Sequence, residues 1–105
     1  MADKKEVLNT VKQYADAVTK QLSPTAIVLF GSHVGGEPKD ESDIDVAVIF
    51  DGFSGDWLKT SSDLWRLRRS ISYKIEPHLL DAKADVSGFV KHVINTGQIV
   101  YQMQK

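Results

Sequence analysis

Hydrophobic residues at the start of the chain recur every three or four positions, which is the spacing of one face of an α-helix. Asp3 stands where an N-cap residue is expected, and Glu6 follows at the third helical position, as in a capping box. Pro24 lies beyond the last apolar position and cannot continue a helix. The pattern therefore predicts a first helix whose inward face is formed by Val7, Leu8, Val11, Tyr14, Ala15, Val18 and Leu22.

Two apolar runs after this helix have the length and composition of β-strands. Residues 25–30, TAIVLF, are apolar without alternation, so they predict a strand that is buried on both faces. Residues 43–50, DIDVAVIF, predict a second strand. The stretch between them, GSHVGGEPKDES, is polar and contains several glycines, which is typical of a connection.

Apolar residues return at helical spacing after the turn-forming stretch DGFSGD. We expect a helix of about fifteen residues here, with Trp57 and Trp65 in the core rather than in a stacking platform for nucleotide bases. Its basic residues are expected to form a solvated face; they are Arg66, Arg68 and Arg69. Its apolar face consists of Trp57, Leu58, Leu64, Trp65 and Ile71.

A third strand and a last helix follow. Residues 73–80, YKIEPHLL, predict a strand, and Pro77 confines it to a sheet edge or a bulge because proline donates no ladder hydrogen bond. We expect Asp81 to end this strand and Asp85 to cap the helix. Gly97 is the expected C′ residue of that helix. The apolar stripe of the helix consists of Val86, Phe89, Val90, Val93 and Ile94.

The order of these elements predicts the fold class. Residues 98–103, QIVYQM, alternate and predict a short terminal strand. Strands interleaved with helices are typical of an α/β or α+β domain, in which helices pack against a small mixed sheet. A chain of 105 residues can build one core, so we expect a single domain over residues 1–105.

Charge and composition exclude several function classes. Thirteen basic and fourteen acidic side chains give a net charge of −1, so no global field attracts the protein to nucleic acid or to an anionic membrane. The chain contains no cysteine, which excludes disulfides, thiolate metal sites and a cysteine nucleophile. We see no signal peptide and no apolar run of membrane-spanning length, and we expect a cytoplasmic protein without a membrane partner.

Two aspartates at the start of the second predicted strand suggest a metal site. Asp43 and Asp45 are two positions apart, so in a strand both side chains emerge on one face with their Cα atoms about 7 Å apart. Burying two like charges without a cation would cost several kcal/mol. Carboxylate oxygens suit Mg²⁺ or Mn²⁺. The alternative is that Asp43 caps a turn and Asp45 lies exposed on an edge strand.

A Gly-Ser pair ends the strand that precedes the aspartates. Gly31 permits a close backbone approach, and the backbone N–H groups that follow it, together with the Ser32 hydroxyl, could hold phosphate oxygens at the start of a helical turn. Ligands commonly bind at the carboxyl ends of strands in α/β sheets. The alternative is that Gly31 and Ser32 merely form a turn.

The combined arrangement resembles a known family. An apolar strand, Gly-Ser, ten intervening residues and Asp-x-Asp at the start of a second apolar strand resemble the motif of the DNA polymerase β-like nucleotidyltransferase superfamily. The short chain is more closely similar to the minimal nucleotidyltransferases, which are often encoded beside a helical HEPN-domain toxin. The resemblance extends from the first helix to the closing FVKHVINTGQIVY.

This resemblance implies roles for particular residues. Gly31 and Ser32 would contact the triphosphate, and Asp43 and Asp45 would hold one or two metal ions. The family uses a third carboxylate on a later strand, for which Glu76 is the positional candidate; it would orient or deprotonate the attacking hydroxyl. The alternative is that Glu76 is a solvent-facing strand residue.

Two departures from the family pattern lie close to these residues. Glu76 precedes Pro77, which can bend the strand and move the carboxylate. His33 stands where many relatives have arginine after Gly-Ser, and a neutral imidazole binds phosphate more weakly than a guanidinium does. The alternative for His33 is a solvated loop position. We expect neither His78 nor His92 to be a metal ligand, because no histidine or cysteine spacing of a zinc site is present.

The implied activity is Mg²⁺- or Mn²⁺-dependent transfer of AMP from ATP to a hydroxyl group. Because 105 residues leave no room for an acceptor-binding domain, the acceptor is expected on a partner, and the resemblance implies a tyrosine of a HEPN toxin that this protein neutralises as an antitoxin. A non-catalytic antitoxin or binding module of the same fold and a transferase that modifies RNA are alternatives. The pattern leaves the homo- or hetero-oligomeric state open.

Overall fold

A computed structural model describes residues 4–35 and 43–104. Within these ranges the helices are α1 (Lys4–Thr19), α2 (Ser32–Gly35), α3 (Trp57–Leu67) and α4 (Phe89–Thr96). The strands are β1 (Ala26–Phe30), β2 (Ile44–Phe50), β3 (Ile75–Asp81) and β4 (Gln98–Gln102). Short 3₁₀ turns follow α3 at Arg68–Ser70 and β3 at Ala82–Ala84. No helix of the described ranges is both long enough and apolar enough to cross a membrane.

The four strands form one mixed sheet in the order β3-β2-β1-β4. Strand β1 is antiparallel to both of its neighbours, whereas β2 and β3 are parallel. The parallel pairing follows from the connection, because α3 lies between these two strands and parallel neighbours need a crossover of this kind. This arrangement confirms the predicted fold class. It also confirms β3, which contains Pro77, as an edge strand.

One face of the sheet is covered by α1 and α3. The first helix buries most of the predicted stripe, but Leu8 is only partly buried and Leu22 lies beyond the end of the helix at Thr19. Asp3, its predicted N-cap, lies outside the described residues. The Tyr14 hydroxyl donates a 2.7 Å hydrogen bond to the Leu64 carbonyl and so joins α1 to α3. This half of the core contains Val7, Val11, Tyr14, Ala15, Val18, Ile27, Leu29, Ile44, Val46, Val48, Leu64, Ile75 and Leu79.

The opposite face of the sheet is covered by α4. Because β1 is central and covered on both faces, its residues Ala26 to Leu29 are all buried, as the unbroken apolar run predicted. Gly97 ends α4 in an extended conformation rather than as the left-handed C′ residue we expected. A Cβ at Gly97 would lie 2.6 Å from Val28 Cγ1, so the glycine sets how closely α4 approaches β1. This second core cluster consists of Ala26, Val28, Ala47, Ile49, Val90 and Val93.

The prediction that the two tryptophans belong to the core is wrong. Trp57 is 42% exposed and Trp65 is 40% exposed. The helix has 11 residues rather than the predicted fifteen or so, and it ends at Leu67, before Ile71. Only Leu64 of this helix is fully buried, while Leu67 packs at the margin of the core. A short helix with a single buried residue leaves its other large side chains at the surface.

Arg68 also departs from its prediction, since it is not part of a solvated face. Its guanidinium lies 4.7 Å from the centre of the Trp65 ring and 5.5 Å from that of Tyr73. It donates hydrogen bonds to the carbonyls of Tyr73 and, at 3.2 Å, of Ile75. Arg68 therefore ties the end of α3 to the start of β3. Arg66 pairs with Asp63 at the surface, and Arg69 is exposed, as predicted.

The last helix begins three residues later than the stripe predicted. Val86 is 99% exposed and precedes α4, whose N-cap is Gly88. Asp85 nevertheless caps the helix, because its carboxylate accepts hydrogen bonds from the N–H groups of Val90 at 2.9 Å and Lys91 at 3.1 Å. Two amide groups of the first helical turn are thereby satisfied from outside the N-cap position.

Asp81 ends β3, as predicted, and fixes the loop that leads into α3. Its carboxylate accepts hydrogen bonds from the N–H groups of Phe53 at 3.0 Å, Gly52 at 2.9 Å and Lys83 at 3.0 Å. These hydrogen bonds, together with the nearby charge of Lys83, lower the pKa of Asp81 from its ordinary value. The α3 helix then begins after Asp56, whose carboxylate accepts from the Lys59 N–H.

Candidate active site

Three strands bring the predicted site residues to one end of the sheet. Phe30, the last residue of β1, is paired with Asp45 of β2, and Asp45 is paired with Glu76 of β3. The chain leaves the sheet at Gly31, directly beyond this row. The carboxyl end of β1 and the starts of β2 and β3 therefore meet at the edge where the sequence predicted phosphate and metal binding.

Strand alternation places the polar side chains of this row on the α4 face of the sheet. Val46 and Ile75 belong to the core under α1 and α3, so their neighbours Asp45 and Glu76 point the other way. His78, two positions after Glu76, shares that face. One ligand atom from each of Asp45, Glu76 and His78 lies within 4.8 Å of the other two.

His78 is the residue that the sequence interpretation missed. Its Nε2 lies 3.2 Å from Asp45 Oδ1, so His78 belongs to a candidate metal-binding group, which we did not expect from the sequence. The side chains are 33% and 27% exposed, which leaves the pair open to solutes. The Phe30 ring packs edge-on against the imidazole, with 5.1 Å between the ring centres, and against the Phe89 ring, with 5.8 Å between the ring centres. Two residues that are two positions apart in a strand share a face, so Glu76 and His78 lie on the same side of β3, but this spacing does not show that the side meets Asp45.

Gly31 lies directly against the carboxylate of Asp45. It has a φ of +83°, which side chains other than glycine rarely adopt. A Cβ at this position would overlap Asp45 Oδ2. Glycine is thus required twice, for the turn out of β1 and for the close approach of the backbone to this carboxylate.

The residues after Gly31 form a single helical turn, α2, as the phosphate-binding interpretation expected. Ser32 begins this turn, and its predicted hydroxyl contact lies outside what the structure describes. The Val34 N–H donates a 3.1 Å hydrogen bond to the Gly31 carbonyl. His33 is buried, so the alternative of a solvated loop histidine is wrong.

Asp43 is placed differently from the other two predicted carboxylates. It is exposed and immediately precedes β2, and it is not a member of the group formed by Asp45, Glu76 and His78. The structure therefore brings Asp45 and Glu76 together, whereas Asp43 lies exposed just before β2 at the same edge of the sheet. The alternative that Glu76 simply faces solvent is also inaccurate, because its carboxylate is half-buried beside Asp45.

This arrangement can hold a hard cation. Two carboxylates and an imidazole converge at an accessible sheet edge, and oxygen donors of this kind are the usual protein ligands of Mg²⁺ and Mn²⁺. The turn after Gly31, where the sequence predicts phosphate binding, begins directly beside them. Juxtaposed cation and anion positions suit the binding of a metal-complexed phosphate.

Comparison with known families agrees with this chemistry. Residues 10–105 match the family model described as "Polymerase beta, Nucleotidyltransferase". No curated protein sequence is a significant match.

Solved structures share the fold. A nucleotidyltransferase candidate from Sulfolobus solfataricus superimposes with a TM-score of 0.70 at 20% identity, covering 97% of this chain and 86% of that one. A toxin–antitoxin structure with AMP-PNP gives a TM-score of 0.66 at 21% identity, covering 92% and 74%. A variant of the toxin–antitoxin MntA–HpeT gives a TM-score of 0.62 at 18% identity, again covering 92% and 74%. In this variant two aspartates that are two positions apart are replaced by glutamate.

Proposed function

Because the chain belongs to the polymerase β nucleotidyltransferase family, we propose that it transfers a nucleoside monophosphate, AMP from ATP, to an acceptor hydroxyl. The observation that carries this proposal is the pairing of Asp45 with Glu76 beside the glycine at the end of β1. It brings a candidate cation-binding position next to the turn after β1, to which we assign phosphate binding. No protein nucleophile is needed for such a transfer.

In this proposal the carboxylates bind the metal ion, and the residues after β1 bind the nucleotide. Asp43, Asp45 and Glu76 would hold Mg²⁺ or Mn²⁺, and the carboxylate oxygens of Asp45 and Glu76 have the donor chemistry that these ions require. When bound, such an ion neutralises charge that develops on the phosphates. Gly31 and Ser32 would hold the phosphates of the leaving group.

We assign the action on the acceptor to Glu76. Its carboxylate would accept the hydrogen bond of the attacking hydroxyl and take its proton. A bond then forms between that oxygen and the α-phosphorus, while the bond to the β-phosphate oxygen breaks and pyrophosphate leaves. The half-buried position of Glu76 beside Asp45 supports this role, because it fixes the carboxylate without closing it to an acceptor.

The acceptor would lie on a partner protein. Two of the solved structures with this fold are toxin–antitoxin proteins, one of them with AMP-PNP. In the other, the substituted aspartates have the same two-residue spacing as Asp43 and Asp45. These neighbours support a role as an antitoxin, and we propose that the modified hydroxyl belongs to a HEPN-type toxin.

The direct test incubates the protein with ATP labelled at the α-phosphate, a divalent ion and the purified product of the adjacent gene. We expect label on the partner and none with the double substitution Asp43→Asn/Asp45→Asn or with Glu76→Gln. Asp51→Asn is the matched control, because Asp51 is exposed at the other end of β2. Its label transfer should equal that of the wild type.

Three other outcomes are informative in the same assay. If the two proteins bind but no label is transferred, the enzymatic proposal fails and a contact-based antitoxin remains. If label appears on added RNA instead, the proposed class of acceptor is wrong. If the double substitution transfers label as well as the wild type, the site is elsewhere.

A further inference from the structure

The candidate metal-binding group consists of two carboxylates, Asp45 and Glu76, and one imidazole, His78. His78 presents Nε2 at 3.2 Å from Asp45 Oδ1, on the same face of the sheet as Glu76. A pure carboxylate site would be selective for hard ions that prefer oxygen, whereas an imidazole nitrogen changes which metals bind well. The histidine therefore bears on the identity of the ion.

We propose that His78 Nε2 ligates the metal together with Asp45 and Glu76, and that the site consequently selects a first-row transition-metal ion such as Mn²⁺ or Co²⁺ over Mg²⁺. This inference rests on the proposed function only in that it concerns the same metal site. It adds a ligand and a metal preference.

The observed separation suits shared coordination. Ligand atoms about 2.1 Å from an octahedral ion and at right angles to one another lie about 3 Å apart. The Nε2 to Oδ1 distance of 3.2 Å is close to this value, and the Glu76 oxygen lies within 4.8 Å of both atoms. The three atoms therefore lie close enough together to be candidate ligands of one ion.

The imidazole is held in place for this task. Phe30 contacts the ring edge-on at 5.1 Å and is itself supported by Phe89 at 5.8 Å. His78 also stands on β3, which is paired along its length with β2. A ligand that is already oriented loses little conformational freedom when the ion binds.

Donor type decides between metals. Mg²⁺ requires oxygen ligands and keeps most of its waters, so replacing an oxygen with a nitrogen brings it little. Transition-metal ions accept imidazole readily, with affinity increasing from Mn²⁺ to Co²⁺ for a given site. A set of two carboxylates and one imidazole therefore favours transition-metal ions.

The test measures metal binding to the full chain without nucleotide. Calorimetric titrations with Mn²⁺ and with Mg²⁺ are made on the wild type, His78→Ala, His78→Gln and the control His92→Ala, whose imidazole is exposed on α4. We expect His78→Ala, which removes a direct ligand, to weaken Mn²⁺ binding by more than the roughly tenfold loss that removing a supporting residue can cause, and to change Mg²⁺ binding by less than about twofold. His92→Ala should change neither.

The glutamine variant separates ligation from orientation. If His78 only orients Asp45 through a hydrogen bond, glutamine can donate the same bond and both affinities return to the wild-type values, which overturns the proposal. Equal losses for Mn²⁺ and Mg²⁺ in His78→Ala also overturn it. Circular dichroism and urea midpoints check that each variant is folded, and the Co²⁺ absorption spectrum of the wild type gives a reading of nitrogen ligation that needs no variant.

The two proposals fail differently. If His78 proves to be a selective metal ligand but no label reaches any acceptor, the nucleotidyl transfer fails and the metal assignment stands. If label transfer proceeds and His78→Ala binds Mn²⁺ as tightly as the wild type, the transfer stands and the metal assignment fails.

Discussion

At the scale of single residues, the contact between Gly31 and the Asp45 carboxylate is the most restrictive feature of the site. The substitution Gly31→Ala would impose the left-handed conformation on a side-chain-bearing residue, at about 1–2 kcal/mol. It would also displace Asp45, because the new methyl group overlaps Oδ2. We expect label transfer and Mn²⁺ binding to be lost while the protein stays folded, as measured by transfer assay, calorimetry and urea unfolding.

Gly88→Ala is the matched control for this prediction. Gly88 has a similar φ of +78°, but a Cβ there would meet nothing within 4 Å. The backbone penalty should therefore be similar, and label transfer should be retained. Equal loss of transfer in both variants would show that strain, rather than the contact with Asp45, explains the effect.

Asp81 gives a prediction on pH. Hydrogen bonds from the Phe53, Gly52 and Lys83 N–H groups lower its pKa in the folded state. The unfolded state therefore binds the proton more readily, so this contribution to stability is present above the ordinary pKa of 3.8 and is lost as the pH falls through the folded value. Asp81→Asn should unfold at lower urea concentration near pH 7, and its deficit should shrink towards pH 3.

Urea unfolding of both proteins between pH 3 and pH 7 measures this difference. Asp51→Asn again serves as the control, since Asp51 is exposed in the same region. A deficit of Asp81→Asn that stays constant over the whole pH range would contradict the assignment to these hydrogen bonds.

At the scale of elements, the packing of α4 on β1 depends on Gly97. A Cβ there would lie 2.7 Å from the Val93 carbonyl oxygen and 2.8 Å from that of Leu29. Because these are backbone atoms, the contact cannot be relieved by rotation of a side chain. We expect Gly97→Ala to lower the free energy of unfolding by about 1–3 kcal/mol, the range for overpacking.

Chemical denaturation monitored by tryptophan fluorescence measures this change. Asn95→Ala, at an exposed position two residues earlier on α4, is expected to remain within about 0.5 kcal/mol of the wild type. An unchanged midpoint for Gly97→Ala would mean that α4 and β1 are further apart than described.

At the scale of the whole molecule, α1 and α3 are joined across the core by Tyr14. Burial raises the pKa of this phenol well above its ordinary value of 10.0, because the folded core disfavours the phenolate, although the Arg68 charge acts in the opposite direction. The unfolded state therefore releases the proton first, and stability should be constant below pH 9 or so and fall as the pH rises beyond about 10.

Urea unfolding between pH 7 and pH 11 tests this link. Tyr14→Phe loses the hydrogen bond to the Leu64 carbonyl, so it should be less stable by about 1 kcal/mol at pH 7 and should lose less further stability above pH 10 than the wild type does. Tyr73→Phe, at an exposed position, should follow the wild-type curve. Parallel curves for Tyr14→Phe and the wild type would contradict the assignment.

Local patterns predicted much of this molecule. The strands, the existence of the two long helices and the edge position of β3 followed from hydrophobic spacing and Pro77. The exposure of Trp57 and Trp65 and the role of Arg68 did not, because they depend on how much of α3 the sheet covers. Hydrophobic spacing identifies one face of a helix but does not fix the width of the surface that packs on it.

The sequence by itself determined that Gly31 follows one strand, that Asp43 and Asp45 introduce the next, and that Glu76 and His78 share one face of a third. Only the tertiary structure decided that these faces meet. The parallel register between β2 and β3 places Glu76 beside Asp45 and brings His78 to 3.2 Å from it. A strand's side-chain period of two is a local property, whereas register between strands separated by α3 is set by packing on both faces of the sheet.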